Sequence, residues 1–335
     1  MNSILYPLKF EPIYQYRLWG GRKLGNLLSK PLPGDEPIGE AWILSDRTDH
    51  ASQVSEGPLK GYTITQLMNE YPHEVMGKLE NRFNHFPLLL KFLDCKEVVS
   101  VQVHPSDDQK KYIPKGDTGK TEAWVVLETG NDSRVYAGLK PGTNEQNLRE
   151  AIQNNRVAKR LHSFVPNVGD AVFIHSGTVH TLGGTVVFEV QENSDVTLRL
   201  YDWDRTDPKT GKHRDLQVDE ALACIDFDQV DIGPVPPVVV PHHPNTEKLF
   251  DDEHFIVWRT KSESNFRVGF TDEPRILVCT DGSGKLDYNG NDYGIHKGDV
   301  MLLPAVIGQC TCKPDDQITL LEIAIPATNL STKLS

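Results

Sequence analysis

Long apolar runs are missing from this chain: nowhere do 18 apolar residues follow one another, and MNSILYPLKFEPIYQYRLWGGRK has no basic stretch ahead of an apolar one. Neither a membrane-spanning helix nor a secretory leader is expected, and the expected location is the cytoplasm. Positive charge is also short. Lys and Arg number 35 against 47 Asp and Glu, a formal net charge of -12. That balance disfavours nonspecific binding to nucleic acid or anionic membranes, and no basic stripe supports a DNA-binding regulator. An anionic ligand would have to be held by local cations or a metal. Cysteine is scarce, five residues in all. Cys95, Cys224 and Cys279 lie in apolar surroundings and read as buried free thiols. Cys310 and Cys312 share a strand face but lack the second pair that a structural metal site would bring.

What is present is an ordinary soluble composition, 38% hydrophobic and 24% charged, over 335 residues, enough for two domains or one large domain with a satellite. Short β-rich runs dominate (FPLLLKFLD, VVSVQVH, EAWVVLET, SRVYAGL, AVFIHSGTVHTL, TVVFEVQ, VTLRLYDW), punctuated by Gly, Pro and Asp. This is the pattern of a sandwich or barrel. Helical periodicity is confined to about 63–79, with Thr63 as its cap, 143–164 and 217–227, inserts beside a β-core. The segment DIGPVPPVVVPHHPNTEK (231–248) holds five prolines, cannot be a helix, and marks a boundary. The expected division is 1–235 and a smaller all-β 236–335. An internal echo supports it: VGDAVFIHSGTVHTL (168–182) aligns without a gap on KGDVMLLPAVIGQCT (297–311), with Gln309 at the position of His180.

In VVSVQVHPSDD, period-2 alternation sends Val99, Val101 and Val103 to one face and Ser100, Gln102 and His104 to the other. Either the polar face is wet or it lines a site. Glu122 follows in TGKTEAWVV and His180 in HSGTVHTLGG. Two imidazoles and a carboxylate suit zinc with coordination positions left open, and Gln102 adds an amide oxygen. Ligands from separate strands converge only inside a common barrel. A lone histidine on such a strand also has a purely structural reading, and Glu122 beside Lys120 has a surface ion-pair one. His175, five residues before His180, falls on the opposite parity and ranks below it. In FEVQENSDVTLRLYDWDR (188–205), Glu189, Gln191, Asp195, Arg199, Asp202 and Arg205 crowd one β-segment. An inward arginine there needs a carboxylate, a phosphate or a developing oxyanion; a salt-bridged strand pair is the alternative.

With SVQVHPSD, GKTEAW, SGTVHTLGG and VQENSDVTLRLYDWDR in that order, and YRLWGG and GEAWILSDR upstream, the sequence resembles the short-form type I mannose-6-phosphate isomerases. The resemblance covers nearly the whole chain. It implies a mainly β protein of two jelly-roll (cupin) domains, the first with added helices and one zinc ion, the second without metal. It makes His104, Glu122 and His180 the zinc ligands, with Gln102 a further ligand in some members, and puts Arg199 on the active-site arginine. Lys120 and Glu189 match other active-site positions. His175 departs from the family, where a proline is common. The implied reaction interconverts mannose 6-phosphate and fructose 6-phosphate through an enediolate. Glu189, Lys120 and a metal-bound water are the candidate bases, and Ser100 and Lys120 the candidate phosphate ligands. A sugar phosphate is thus the expected partner, for a monomer or small homo-oligomer. The competing readings are a non-catalytic cupin that binds a sugar phosphate as a sensor, and a metal-dependent cupin oxygenase.

Overall fold

The structure, a computed structural model, describes residues 4–327. In chain order the strands used below are β1 (Leu8–Lys9), β2 (Ile13–Gly21), β3 (Ile38–Leu44), β4 (Leu88–Cys95), β5 (Val101–Val103), β6 (Glu122–Leu139), β7 (Leu161–Phe164), β8 (Ala171–Ile174), β9 (His180–Glu192) and β10 (Leu198–Tyr201). They continue with β11 (Val238–Val240), β12 (His243–Asp251), β13 (Ile256–Ser262), β14 (Phe266–Val268), β15 (Arg275–Tyr288), β16 (Asn291–His296), β17 (Val300–Leu303) and β18 (Cys310–Ala324). The helices are short: α1 (Lys23–Leu27), α2 (Ile64–Glu70), α3 (Pro72–Met76), α4 (Glu145–Gln153) and α5 (Val218–Cys224).

Among the described residues two nine-stranded antiparallel sheets form. The first runs β8-β6-β9-β4-β3-β2, with β7 on β6 and β5 between β9 and β10; the second runs β1-β17-β15-β18-β13-β12-β11, with β14 on β18 and β16 on β15. The chain is mainly β, in two curled sheets, as the cupin expectation required. One strand crosses the sequence division: Leu8 and Lys9 pair with Leu302 and Met301.

Strand alternation decides what each face does. Ala123, Val125 and Leu127 of β6 and Val186, Phe188 and Val190 of β9 enter one core with Ile276 and Val278 of β15 and Leu321 and Ile323 of β18. The sheets therefore pack back to back. On the opposite parity of β6 and β9, Glu122, Trp124 and Glu189 turn into the first sheet's own concavity. The matching face of the second sheet is filled by Leu277, Cys279, Met301, Leu303, Cys310, Cys312 and Leu320. The five cysteines are buried and free.

The helical inserts differ from the periodicity in extent. Thr63 caps α2 in a reciprocal box with Gln66, and Pro72 starts α3 where an interior proline could not continue the first helix. The run expected over 143–164 ends as a helix at Gln153. Asn155 takes a left-handed φ of 53°, Val157–Lys159 forms a single 3-10 turn, and Leu161–Phe164 is strand β7, with Phe164 opposite Val135. A left-handed asparagine is a usual helix stop, and pairing with β6 outweighs the weak helical propensity beyond it. The helix α1 carries no periodicity of its own and was not expected. The insert at 217–227 is helical over Val218–Cys224.

Candidate metal centre and active site

β5 presents both of its faces to protein. Val101 and Val103 pack under α4 and α5 with Leu148, Ile152 and Leu222, while Ser100, Gln102 and His104 face the concavity in a row. Arg199 Nε donates to Ser100 Oγ at 3.3 Å, Ser100 Oγ lies 3.4 Å from Gln102 Oε1, and Gln102 Nε2 lies 3.1 Å from His180 Nε2. His180 is brought alongside because β9 starts opposite Gln102. Gly183 lets β9 pass, since a Cβ there would meet the Val98 Cα at 2.7 Å. Glu122 arrives on β6, opposite Gln191 of β9.

The donor atoms of His104, Glu122 and His180 lie within 4.8 Å of one another and all three residues are buried. His104 Nε2 is 3.4 Å from Glu122 Oε2, and His180 Nε2 is 3.3 Å from Glu122 Oε1. His180 Nδ1–H donates to the Thr178 carbonyl at 2.9 Å, which fixes the tautomer and leaves Nε2 with its lone pair. Among the described residues neither ring nitrogen of His104 has a hydrogen-bond partner, and Glu122 has beside it only these two imidazoles and the Lys120 ammonium. A buried imidazole with no hydrogen bond at either nitrogen, facing a carboxylate and a second imidazole, is costly alone and suits a bound cation. Burial, reinforced by the Lys120 ammonium, pushes His104 down to about 3 against the pull of Glu122. Burial also lowers His180. Both rings are neutral, the form that ligates metal. Burial alone would raise Glu122, but Lys120 holds it well below the usual carboxylate range.

Lys120 Nζ sits 2.8 Å from Glu122 Oε2 and 4.0 Å from Glu189 Oε1. Burial works to lower it, yet these two carboxylates hold it above its ordinary value. Glu189 is set differently. Burial, with Glu122 acting the same way, lifts it to about 7 against Lys120 and Lys91, and the Trp124 indole N–H fixes its Oε2 at 2.8 Å. Trp124 also meets the His180 ring edge-on, 5.5 Å between centroids.

Ser100, Gln102, Lys120, Glu189 and Arg199 line one cavity of about 440 Å³, and the triad lies one contact behind its wall through Gln102 and Lys120. The cations Arg17, Lys91, Lys120, Arg199 and Arg214 and the carboxylates of Glu40, Glu189, Asp195 and Asp207 share the lining. Among the described residues no carboxylate pairs with Arg199, whose other bond goes to the Asp215 carbonyl at 2.9 Å. Burial, then Arg214, lowers its pKa. An acidic chain has thus gathered cations around one concavity, where the Arg199 guanidinium is held by a hydroxyl and a carbonyl and by no carboxylate.

Ser100, Gln102, His104, Lys120, Glu122, His180, Glu189 and Arg199 converge here. His175 does not: it is exposed on its turn and rests edge-on against Phe173. Asp202 and Arg205 supply the salt-bridged reading of their segment, Asp202 being gripped by Arg205 and Arg214. Trp203 and Asp204 are both at left-handed φ, and the Trp203 indole N–H donates to the Val99 carbonyl at 2.7 Å.

Sequence reasoning missed Lys91, Glu40, Arg17 and Trp124. Lys91 is buried within 3.6 Å of Glu189, 3.8 Å of Glu40 and 3.3 Å of Asp195. Arg17 Nε donates to Glu40 Oε1 at 2.7 Å. Burial would raise Glu40, but Arg17 and Lys91 bring it to about 2. The available signal was a single charge in each of two apolar runs, PLLLKFL and GEAWIL, since an unpaired charge does not stay inside a sheet.

A family model described as phosphomannose isomerase type I, catalytic domain, matches residues 7–138. Among named relatives, "Probable mannose-6-phosphate isomerase GmuF" of Bacillus subtilis (strain 168) is 33% identical over 309 residues, 91% of this chain and 96% of its own. "Mannose-6-phosphate isomerase ManA" of the same organism is 32% identical over 312 residues, 90% and 94% of the two chains. The crystal structure of the mannose 6-phosphate isomerase from Bacillus subtilis is similar with a TM-score of 0.86 at 29% identity, covering 96% of this chain and 100% of that one.

Proposed function

The chain belongs to the type I phosphomannose isomerases, and from that premise we propose that it interconverts mannose 6-phosphate and fructose 6-phosphate, with one zinc ion per chain, by proton transfer through an enediolate. The observation that carries the proposal is the cluster of His104, Glu122 and His180, three buried residues whose donor atoms lie within 4.8 Å of one another, one contact behind the cavity lined by Lys120, Glu189 and Arg199. The nitrogen and carboxylate donors suit zinc held by His104, Glu122 and His180, with the Gln102 amide turned to offer its oxygen. When bound, the ion supplies a Lewis acid for the C1 and C2 oxygens of the open-chain sugar.

The remaining steps belong to side chains. Glu189, lifted to about 7, is the base that takes the proton from C2 and returns it to C1, because a pKa near the working pH serves both transfers. Lys120, kept cationic against Glu122 and Glu189, is a poor base and instead faces the negative charge that develops on the oxygens. Ser100 and Arg199, at the far end of the row from the triad, face the phosphate; a planar guanidinium without a carboxylate partner is suited to it. Catalysis is assigned to residues 1–235 and structural support to 236–335. Among the described residues no helix is long and apolar enough to cross a membrane, and a cytoplasmic protein acting as a monomer or small homo-oligomer is proposed.

Metal analysis coupled to an isomerase assay tests this. One zinc per chain is expected, with turnover of fructose 6-phosphate lost on chelation and restored by zinc. Full turnover by metal-free protein overturns the metal site, and stoichiometric zinc without turnover overturns the isomerase.

A further inference from the structure

We propose that the metal-free half positions the active site from outside it, through His254 and Glu192, which act as positioning residues on the peptide joining Lys120 to Glu122. This rests on the metal site and reaction proposed above. The segment that delivers Lys120 and Glu122 has little regular structure, so its geometry depends on what its N–H groups find. The Gly119 N–H donates to Asp107 Oδ1 at 2.8 Å, the Lys120 N–H to the Pro105 carbonyl at 3.0 Å, and the Thr121 N–H to Glu192 Oε2 at 2.7 Å. Of these three holds, the last reaches the second sheet. Glu192 Oε1 faces His254 Nδ1 at 3.5 Å.

His254 sits in the turn between β12 and β13. The turn is closed by the His254 N–H on Asp252 Oδ1 at 3.0 Å and by the Asp252 N–H on the Phe255 carbonyl at 3.2 Å. Phe255 is fully buried in the core shared by the two sheets, so the imidazole is delivered from a fixed base. Glu192 is itself buried. A carboxylate in that position stays ionised only with a partner, and an ionised acceptor grips an N–H more strongly than a neutral one. Burial lifts Glu192 to about 7, His254 pulls it down, and Asp107 pushes it up. Losing the imidazole therefore tips the carboxyl towards its neutral form and weakens one of the two bonds on Thr121, leaving the Glu192 N–H on the Thr121 carbonyl at 3.2 Å. Because Thr121 stands between the ammonium and the metal ligand, a small rotation there displaces both. Small misplacements of reacting groups are expensive in rate, and partners that orient metal ligands are worth tenfold or more in affinity.

The test is a double-mutant cycle on zinc-loaded, full-length protein, reading kcat, KM and zinc affinity by chelator competition, with thermal melting as the control for folding. His254→Ala is expected to lower kcat and zinc affinity each by about 3- to 10-fold, and Glu192→Ala by about 10- to 100-fold, with KM within about twofold. The double variant should be no worse than Glu192→Ala, because His254 acts through Glu192. Glu192→Gln keeps an acceptor without a charge. It should rescue most of the loss, and adding His254→Ala to it should change nothing; this arm also serves if Glu192→Ala does not fold. Additive effects, or kcat and zinc affinity unchanged in folded His254→Ala and Glu192→Ala, overturn the proposal. The affinity arm needs no turnover, so a wild-type protein that binds zinc without isomerising would defeat the reaction and leave this inference standing.

Discussion

Both halves turn into a strand through the same device: Gly169 and Gly298 each at φ 90°, followed by Asp170 and Asp299, which accept the N–H of Asn167 and His296, three residues upstream. A φ of this kind suits glycine and strains other residues. From that shared turn the halves can be compared residue by residue. Ile174 and Leu303 hold equivalent places after it; Glu122 stands opposite the first and Arg275 opposite the second. Two residues further along those strands are Trp124, opposite Glu189, and Leu277, opposite Glu322. The second half thus puts an arginine where the first puts the carboxylate that suits a metal, and pairs it internally, with Glu273 at 2.7 Å and Glu322 at 3.6 Å. Around the arginine the interior is apolar. One topology supports either a carboxylate set between two imidazoles, with Lys120 on one oxygen, or an arginine paired with two carboxylates, and the difference lies in a few inward positions.

The comparison breaks most visibly at Glu122. Glu122→Gln keeps the shape and removes the charge that a cation would neutralise. Zinc content by elemental analysis should fall far below one per chain, and kcat/KM by about 10³-fold or more, as when a ligand to a catalytic metal is lost. Next is Glu189, whose counterpart Glu322 has no reaction to serve. Glu189→Gln should lower kcat by about 10²- to 10⁴-fold with KM little changed. In the wild type kcat/KM should fall as pH drops through the Glu189 pKa, because the base must be ionised. That value is about 7 without a cation and lower once a cation offsets Glu122. The glutamine variant should lack this limb.

The converse holds for the second half. Arg275→Met leaves the largely buried Glu322 with only the Gly269 N–H and Glu273 with only Lys78 and should destabilise the fold by roughly 3 kcal/mol in denaturant titration, while kcat per folded molecule stays as it was. Smallest of all is Gln309→His, which restores the imidazole at the position of His180. Gln309 is exposed where His180 is buried, so an imidazole there meets no buried carboxylate and zinc should remain at one per chain; a second equivalent would show that the ligand residue alone separates the halves.

The triad was legible because each of its residues sits in a short, unusual motif, and because alternation around Val101 and Val103 fixes which way Gln102 and His104 turn; Val99, expected on the face of those two valines, instead packs with Trp124 and lines the cavity. The two-sheet plan was legible in the repeat of Gly169–Asp170 as Gly298–Asp299. Lys91, Arg17 and Glu40 were not assigned a place, since a charge inside a strand shows that it needs a partner without showing which strand brings one. Helix α4 was overextended because residues 157–164 carry apolar spacing that a helix and a strand can both use, and only the presence of β6 alongside decides between them.

By itself the sequence determined the face on which each strand residue falls, the turns that interrupt the strands, and the residue types available to hold a metal, since these follow from local stereochemistry and side-chain chemistry. Tertiary structure alone decided that Leu8–Lys9 joins the far sheet, that Lys91 meets Glu189, and that His254 faces Glu192. Those contacts join residues from tens to nearly three hundred positions apart, and no local periodicity encodes which strand will lie beside which; pairing register and the burial of a common core do.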